Sequence, residues 1–180
     1  MVQITYFVHG TTQDNENGIA TGWLPGKLSN LGIKQSHILA NIVKDSNFDV
    51  VICSDLKRAV DTAQIVFGKR HKIIKDTRLR EANYGDWNGK SHDLFKTHEV
   101  DFVHAPFPNG ESYKDVEKRM HSFCQDFLEK YDGKKVALLA HQAPQLALEV
   151  ITNHKSWEQA IADDWRKTKA YQSGWQYQLN

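Results

Sequence analysis

Three short apolar runs each end on a polar residue and hand over to a helical pattern. This repeated order constrains the fold more than any other feature of the chain. Ile4-Thr5-Tyr6-Phe7-Val8 runs into His9, Val50-Val51-Ile52-Cys53 into Ser54-Asp55, and Val136-Ala137-Leu138-Leu139-Ala140 into His141. Short apolar runs alternating with helical stripes read as a mostly parallel sheet covered by helices, so the expected fold is α/β, a three-layer α-β-α sandwich. In an open sheet of this kind ligands bind beyond the carboxyl ends of the strands. His9, His141 and Arg58, the last in the first turn after Cys53, are all expected there. Two imidazoles and a guanidinium imply an anion site with a nucleophile.

The helices are readable from their spacing. Leu56, Ala59, Val60, Ala63, Val66 and Phe67 form one stripe, with Ser54 or Asp55 available as an N-cap. Val116, Met120, Phe123, Phe127 and Tyr131 form a second, and Ser112 with Asp115 resembles a capping box. Leu31, Ile38, Leu39, Ile42 and Val43 give a third, less regular stripe; all three are expected to be core. Pro144 sits at a tolerated first-turn position of a helix after His141. Between Thr77 and Gly110 the pattern breaks into Gly, Asn, Asp, Trp, His and Pro, with a modest helical signal over 94–103. This long excursion is expected to lie over the site. Alternation from Gly174 to Leu179 predicts a half-exposed final strand.

At 180 residues and 40% hydrophobic, the chain is long enough to bury a core as one domain, expected to span residues 1–180. Its net charge of +1 comes from acids and bases spread along the whole length, which argues against nucleic acid as a partner. It opens on a strand rather than a leader, and no run approaches the roughly 20 apolar residues that cross a bilayer, so no membrane association and a cytoplasmic location are expected. Cys53 and Cys124 sit among apolar neighbours and read as inert core thiols. His92, His98 and His104 are six apart, which spreads them over different helix faces and argues against a metal site. Aromatic residues near Trp157, Trp165 and Trp175, expected to be exposed, leave room for a homodimer interface without requiring one.

Phe7-Val8-His9-Gly10-Thr11-Thr12 with Asn15, then Gly22-Trp23, Leu28-Ser29 and Leu31-Gly32, resembles the opening of the histidine phosphatase (phosphoglycerate mutase-like) superfamily. Cys53-Ser54-Asp55-Leu56-Lys57-Arg58-Ala59 with Thr62-Ala63, Leu79-Arg80-Glu81 with Gly85, Trp87 and Gly89, Pro108-Asn109-Gly110-Glu111-Ser112 and Leu139-Ala140-His141 resemble four further blocks in the same order. The resemblance implies that His9 attacks phosphorus and carries a phosphohistidine. His141 and Arg58 then hold the phosphoryl oxygens, and Glu81 protonates the leaving oxygen and activates water. It implies neither metal nor cofactor, and a small phosphorylated substrate. Backbone N–H groups of Gly10 and Thr11 and the side chain of Asn15 are candidate phosphate contacts, and Trp23 and Lys27 candidate substrate contacts; Trp87 and Tyr84 are candidates for the mouth of the site.

Two positions depart from the family pattern. Val8 stands where the family motif has arginine, and Gln142 where glycine commonly follows the second histidine. A bidentate arginine–phosphate contact makes two charge-assisted bonds of roughly 1.5–3 kcal/mol each, so its loss is a matter of about 10- to 10⁴-fold in rate. Either another cation, with Lys27, Lys57 and Arg80 as candidates, makes up the charge, or the pocket has moved away from ordinary phosphomonoesters. The expected activity is hydrolysis of a small phosphorylated metabolite, because the segment between Trp87 and Pro106 is short where the mutase branch tends to carry an insertion. The alternatives are a phosphomutase and a phospholigand-binding protein without useful turnover; the retained Glu81 argues against the latter.

Overall fold

The computed structural model describes residues 1–168 and 172–180, with side chains described for 1–167 and 172–180. In chain order the elements are β1 (Val2–Val8), α1 (Gln13–Glu16), β2 (Ile19–Ala20), α2 (Asn30–Ile42), β3 (Val50–Cys53), α3 (Lys57–Phe67) and β4 (Ile73–Lys75). After them come β5 (Lys90–Ser91), α4 (Tyr113–Tyr131), β6 (Lys135–Ala140), α5 (Gln142–Asn153), α6 (Trp157–Ala162), α7 (Trp165–Thr168) and β7 (Trp175–Leu179). The main sheet runs β4-β3-β6-β1-β7, parallel except for β7, which pairs antiparallel with β1. One apolar cluster joins β1 and β6 to α4, α5 and α6, and a second joins β3 to α2 and α3, so both faces of the sheet are covered.

The three strand runs and the α3 and α4 stripes fall where periodicity places them. Ser112 caps α4 with Asp115 answering in a full capping box, whereas Ser54 and Asp55 do not cap α3, whose N-cap is Leu56 without a side-chain bond. Cys53 and Cys124 are buried, and burial pushes both thiols up to about 12.

Four expectations are corrected. The α2 stripe is only partly core: Leu39 and Val43 are buried, but Leu31, Ile38 and Ile42 are exposed. The helix meets the rest of the molecule along a narrow edge built on Gly32, Ser36 and Leu39, too thin to cover a wide apolar stripe. The signal over 94–103 resolves into separate 3-10 turns, His92–Leu94 and Glu99–Phe102, because Trp87, Phe95, Phe102 and Phe107 pack on one another and hold the chain in turns. This places Trp87 in a packed aromatic cluster and not at the mouth of a site. Trp157 is buried against Tyr113 and donates Nε1–H to Glu117, and Trp165 packs on Trp175.

The loop after β1 lies so close to the start of α2 that glycine is required on both sides. A Cβ on Gly10 would stand 2.5 Å from Gly32 O, and one on Gly32 would stand 1.9 Å from Thr11 O. This contact sets the course of the chain directly after His9.

Candidate active site

Strands β3, β6 and β1 are adjacent, and their register levels their carboxyl ends, with Val8 opposite Ala140 and Cys53 opposite Leu139. His9 and His141 therefore leave the sheet side by side, ring centroids 5.0 Å apart. A cavity of about 390 Å³ opens here, lined among others by Val8, His9, Asn15, Arg58, Glu81 and Arg166.

His9 is held in one tautomer by its neighbours. Nδ1 stands 2.7 Å from Gly10 O, which can only accept, so Nδ1 carries the proton; Arg58 Nε–H donates to Nε2 at 3.3 Å. The Nε2 lone pair is thus the one facing the guanidinium. Burial, and then the nearby Arg58 charge, lower the imidazole to about 3, so the ring is unprotonated throughout the neutral range. His141 is 1% exposed, among the described residues neither ring nitrogen has a hydrogen-bond partner, and burial with the Arg58 charge holds it well below the ordinary histidine range. It stands beside His9 rather than on the cavity wall.

Arg58 is 2% exposed and, among the described residues, forms no ion pair. Its Nη1 and Nη2 donate to Leu24 O at 2.9 Å and Gly22 O at 2.8 Å. Those carbonyls belong to the loop after β2, and Gly22 makes the turn at φ 52°, where a Cβ would meet Asn88. A buried guanidinium whose direct acceptors are all neutral puts positive charge at the site, which favours an anionic occupant.

Glu81 lines the cavity from the loop after β4. Its carboxylate accepts from Ala143 N at 2.9 Å, Ala82 N at 2.9 Å and Gln142 N at 3.1 Å. It caps α5 from another part of the chain, a task the N-cap residue His141 does not perform with its own side chain. Arg119 Nη2 donates to Glu81 O at 3.0 Å, and its Nε pairs with Glu111 Oε1 at 2.9 Å, so Glu111 steadies this loop through Arg119.

Several candidates are placed elsewhere. The Gly10 N–H donates to Thr62 Oγ1 at 3.1 Å and the Thr11 N–H to Gln35 Oε1 at 2.9 Å, so both are already engaged and neither is free for an anion. Asn15 lines the cavity, but its Oδ1 accepts from Thr12 N in the capping box of α1, which leaves its amide nitrogen as the group it can offer. Trp23 stands outside the cavity wall, donating Nε1–H to Glu81 O at 2.8 Å beneath the Arg80 guanidinium. Lys27 is exposed and does not reach the wall, while Lys57 is paired with Asp61 and Arg80 with Asp55, so none of the three candidate cations stands in the cavity. Tyr84 and His92 do line it.

Two contributions gave no sequence signal. The Tyr6 hydroxyl donates to His141 O at 2.7 Å and accepts from His141 N at 3.1 Å, gripping both backbone groups of the second histidine from 135 residues away. Tyr6→Phe is expected to cost about 1–3 kcal/mol in a denaturant titration, since it strands a buried N–H and C=O. A change below about 0.5 kcal/mol would show that the hydroxyl is not needed there. The other contribution is Arg166, which reaches the cavity from α7.

The lowered histidines also predict a pH dependence of stability. Below the ordinary histidine range the unfolded chain takes protons that folded His9, His141 and His92 exclude, so stability falls as pH falls. Each histidine contributes up to about 1.4 kcal/mol per pH unit until it titrates in the folded state. Asp55, Asp76 and Glu149, also lowered, add to the loss only nearer the carboxylate range. Denaturation at pH 7, 6 and 5 is expected to show a steady loss that His141→Asn reduces; a flat profile would contradict neutral buried imidazoles.

The strand-end imidazoles, the buried guanidinium and the capping glutamate gather at the carboxyl ends of β1, β3 and β6. The family model of the histidine phosphatase superfamily (branch 1) matches residues 6–172, and the chain belongs to that superfamily. It is 32% identical over 145 residues to an adenosylcobalamin/alpha-ribazole phosphatase of Escherichia coli strain K12, covering 74% of this chain and 70% of that protein. It is 29% identical over 157 residues to phosphoserine phosphatase 1 of Hydrogenobacter thermophilus, covering 82% and 74%. Among solved structures, the alpha-ribazole phosphatase from Shigella flexneri superposes with a TM-score of 0.79 at 26% identity, over 89% of this chain and 84% of that one. These relatives support a phosphatase or phosphomutase activity for the chain. Among the described residues no helix is long and apolar enough to cross a membrane.

Proposed function

We propose that this protein is a phosphatase that hydrolyses a small phosphorylated metabolite through a phosphohistidine on His9. The observation that carries the reading is the state of His9: Nδ1 tied to Gly10 O, Nε2 unprotonated and facing a buried guanidinium, inside a cavity that also holds Glu81. Nε2 gives up the hydrogen bond it accepts from Arg58 Nε and attacks phosphorus with that lone pair, the P–O bond to the leaving group breaks, and Glu81 supplies the proton that the departing oxygen takes. Water then attacks the phosphohistidine, gives its proton back to Glu81, and His9 is released neutral. Each of Glu81's three N–H contacts fixes the carboxyl in place, which keeps one group in position for both proton transfers. Arg58 offsets the charge that spreads over the phosphoryl oxygens. The ring N–H of His141 gains an acceptor when a phosphoryl oxygen arrives beside His9.

The test is a rapid quench of the protein mixed with a panel of phosphorylated metabolites without added metal. Acid-labile, base-stable phosphate mapped to the peptide bearing His9, followed by free phosphate, is the expected result. Transfer to another position of the substrate would make the protein a mutase. Binding without any phosphate release would make it a phospholigand receptor.

A further inference from the structure

If the site handles a phosphoryl group as proposed above, the dianion beside His9 needs cationic donors on more than one side, because phosphoryl transfer is stabilised chiefly by positioned charge. The cavity wall presents two guanidinium groups, Arg58 and Arg166. Their states differ. The Nε, Nη1 and Nη2 of Arg58 are each committed, to His9 Nε2, Leu24 O and Gly22 O. Arg166 donates through Nη1 to Asp164 Oδ1 at 2.8 Å, and among the described residues its Nε and Nη2 have no acceptor. On the strand side the wall is apolar, formed by Val8.

Arg166 is also held in place. Its backbone N–H donates to Asp164 Oδ1 at 3.1 Å, and its guanidinium lies 4.5 Å from the centre of the Trp165 ring. Asp164 is buried, and its other carboxylate oxygen accepts from Gln142 Nε2. The Gln142 backbone N–H in turn donates to Glu81 Oε2 at 3.1 Å. A run of polar contacts therefore joins Glu81, Gln142, Asp164 and Arg166, and locks α7 to the start of α5, one residue from His141. A guanidinium fixed in advance by a buried carboxylate has less freedom to lose on meeting a phosphate. Its charge also acts on His9 and His141, in the same direction as that of Arg58.

We propose that Arg166 is the second phosphate-binding guanidinium of this site, reaching the phosphoryl group from α7 and positioned by Asp164. The geometry also gives Gln142 a purpose, since a glycine there could not anchor Asp164.

The experiment measures orthophosphate binding by calorimetry, and p-nitrophenyl phosphate turnover, for the unaltered protein, Arg166→Ala and Arg166→Lys. Arg166→Ala is expected to weaken orthophosphate binding and kcat/KM by about 10- to 100-fold each, the worth of one or two charge-assisted bonds. Its Tm should stay within about 3 °C of the unaltered protein, since a partly exposed ion pair adds little stability. Arg166→Lys should recover part of the orthophosphate affinity by keeping the charge without the fork. Orthophosphate affinity within twofold of the unaltered protein in Arg166→Ala would overturn the proposal. So would a loss shared equally by Arg166→Lys and accompanied by a fall in Tm, which marks a structural role. An unaltered protein that binds orthophosphate but hydrolyses nothing would overturn the phosphatase reading alone, while the affinities still decide Arg166.

Discussion

His9→Ala is expected to abolish phosphate release, with kcat/KM falling by at least about 10⁴-fold. Among the described residues it removes the one group lining the cavity whose unprotonated nitrogen is both fixed in tautomer and turned towards a buried cation. It leaves Arg58 and Glu81 in place, because Arg58 keeps its bonds to Gly22 and Leu24 and Glu81 keeps its backbone contacts. Affinity for orthophosphate should therefore change by less than about tenfold while turnover disappears, a split that marks a group acting in the chemical step. Inorganic phosphate release against a metabolite panel, with orthophosphate titration alongside, reads both quantities. Turnover within tenfold of the unaltered protein would sink the nucleophile assignment, and equal loss of binding and turnover would mean that His9 serves to hold the ligand.

Arg58→Ala is the second large effect, and it is expected in two readouts at once. Activity should fall by about 10²- to 10⁴-fold, because the guanidinium both orients Nε2 of His9 and faces the transferring group. Stability should fall by about 2–4 kcal/mol, a drop in Tm on the order of 10 °C, because the carbonyls of Gly22 and Leu24 lose their donors inside the molecule. Arg58→Lys separates the two roles: it restores charge but cannot reach His9, Leu24 and Gly22 together from one point, so Tm should recover more than kcat/KM does. A protein that loses activity with Tm unchanged would show that the two carbonyl contacts are dispensable. One that loses Tm alone would remove Arg58 from the phosphoryl site.

The contrast between Arg58 and the three lysine and arginine candidates shows where residue type stops being informative. Lys27, Lys57 and Arg80 have the right charge and lie near the right blocks, yet Lys57 and Arg80 meet carboxylates, Lys27 faces solvent, and none stands in the cavity. A second guanidinium, that of Arg166, reaches the cavity from α7, far along the chain and without a motif around it. Backbone donors behave alike. An N–H following a strand-end histidine looks available, but Thr62 and Gln35, each on a separate helix, take those of Gly10 and Thr11 first.

By itself the sequence determined the alternation of strands and helices, the capping box at Ser112, and the identity of the residues that emerge at the strand ends: His9, His141 and the nearby Arg58. These are local properties. Side-chain periodicity, capping and the length of apolar runs act within a few residues, so they survive in a linear reading. Only the tertiary structure decided which of those groups are free to act. It made Glu81 the cap of α5 from 62 residues away, set the Tyr6 hydroxyl across both backbone groups of His141, moved Trp23 and Lys27 off the wall, turned half of the α2 stripe to solvent, and brought Arg166 in. Each of these depends on a hydrogen bond or a packing contact between distant segments, and such contacts are set by how the layers close on one another, which no local pattern encodes.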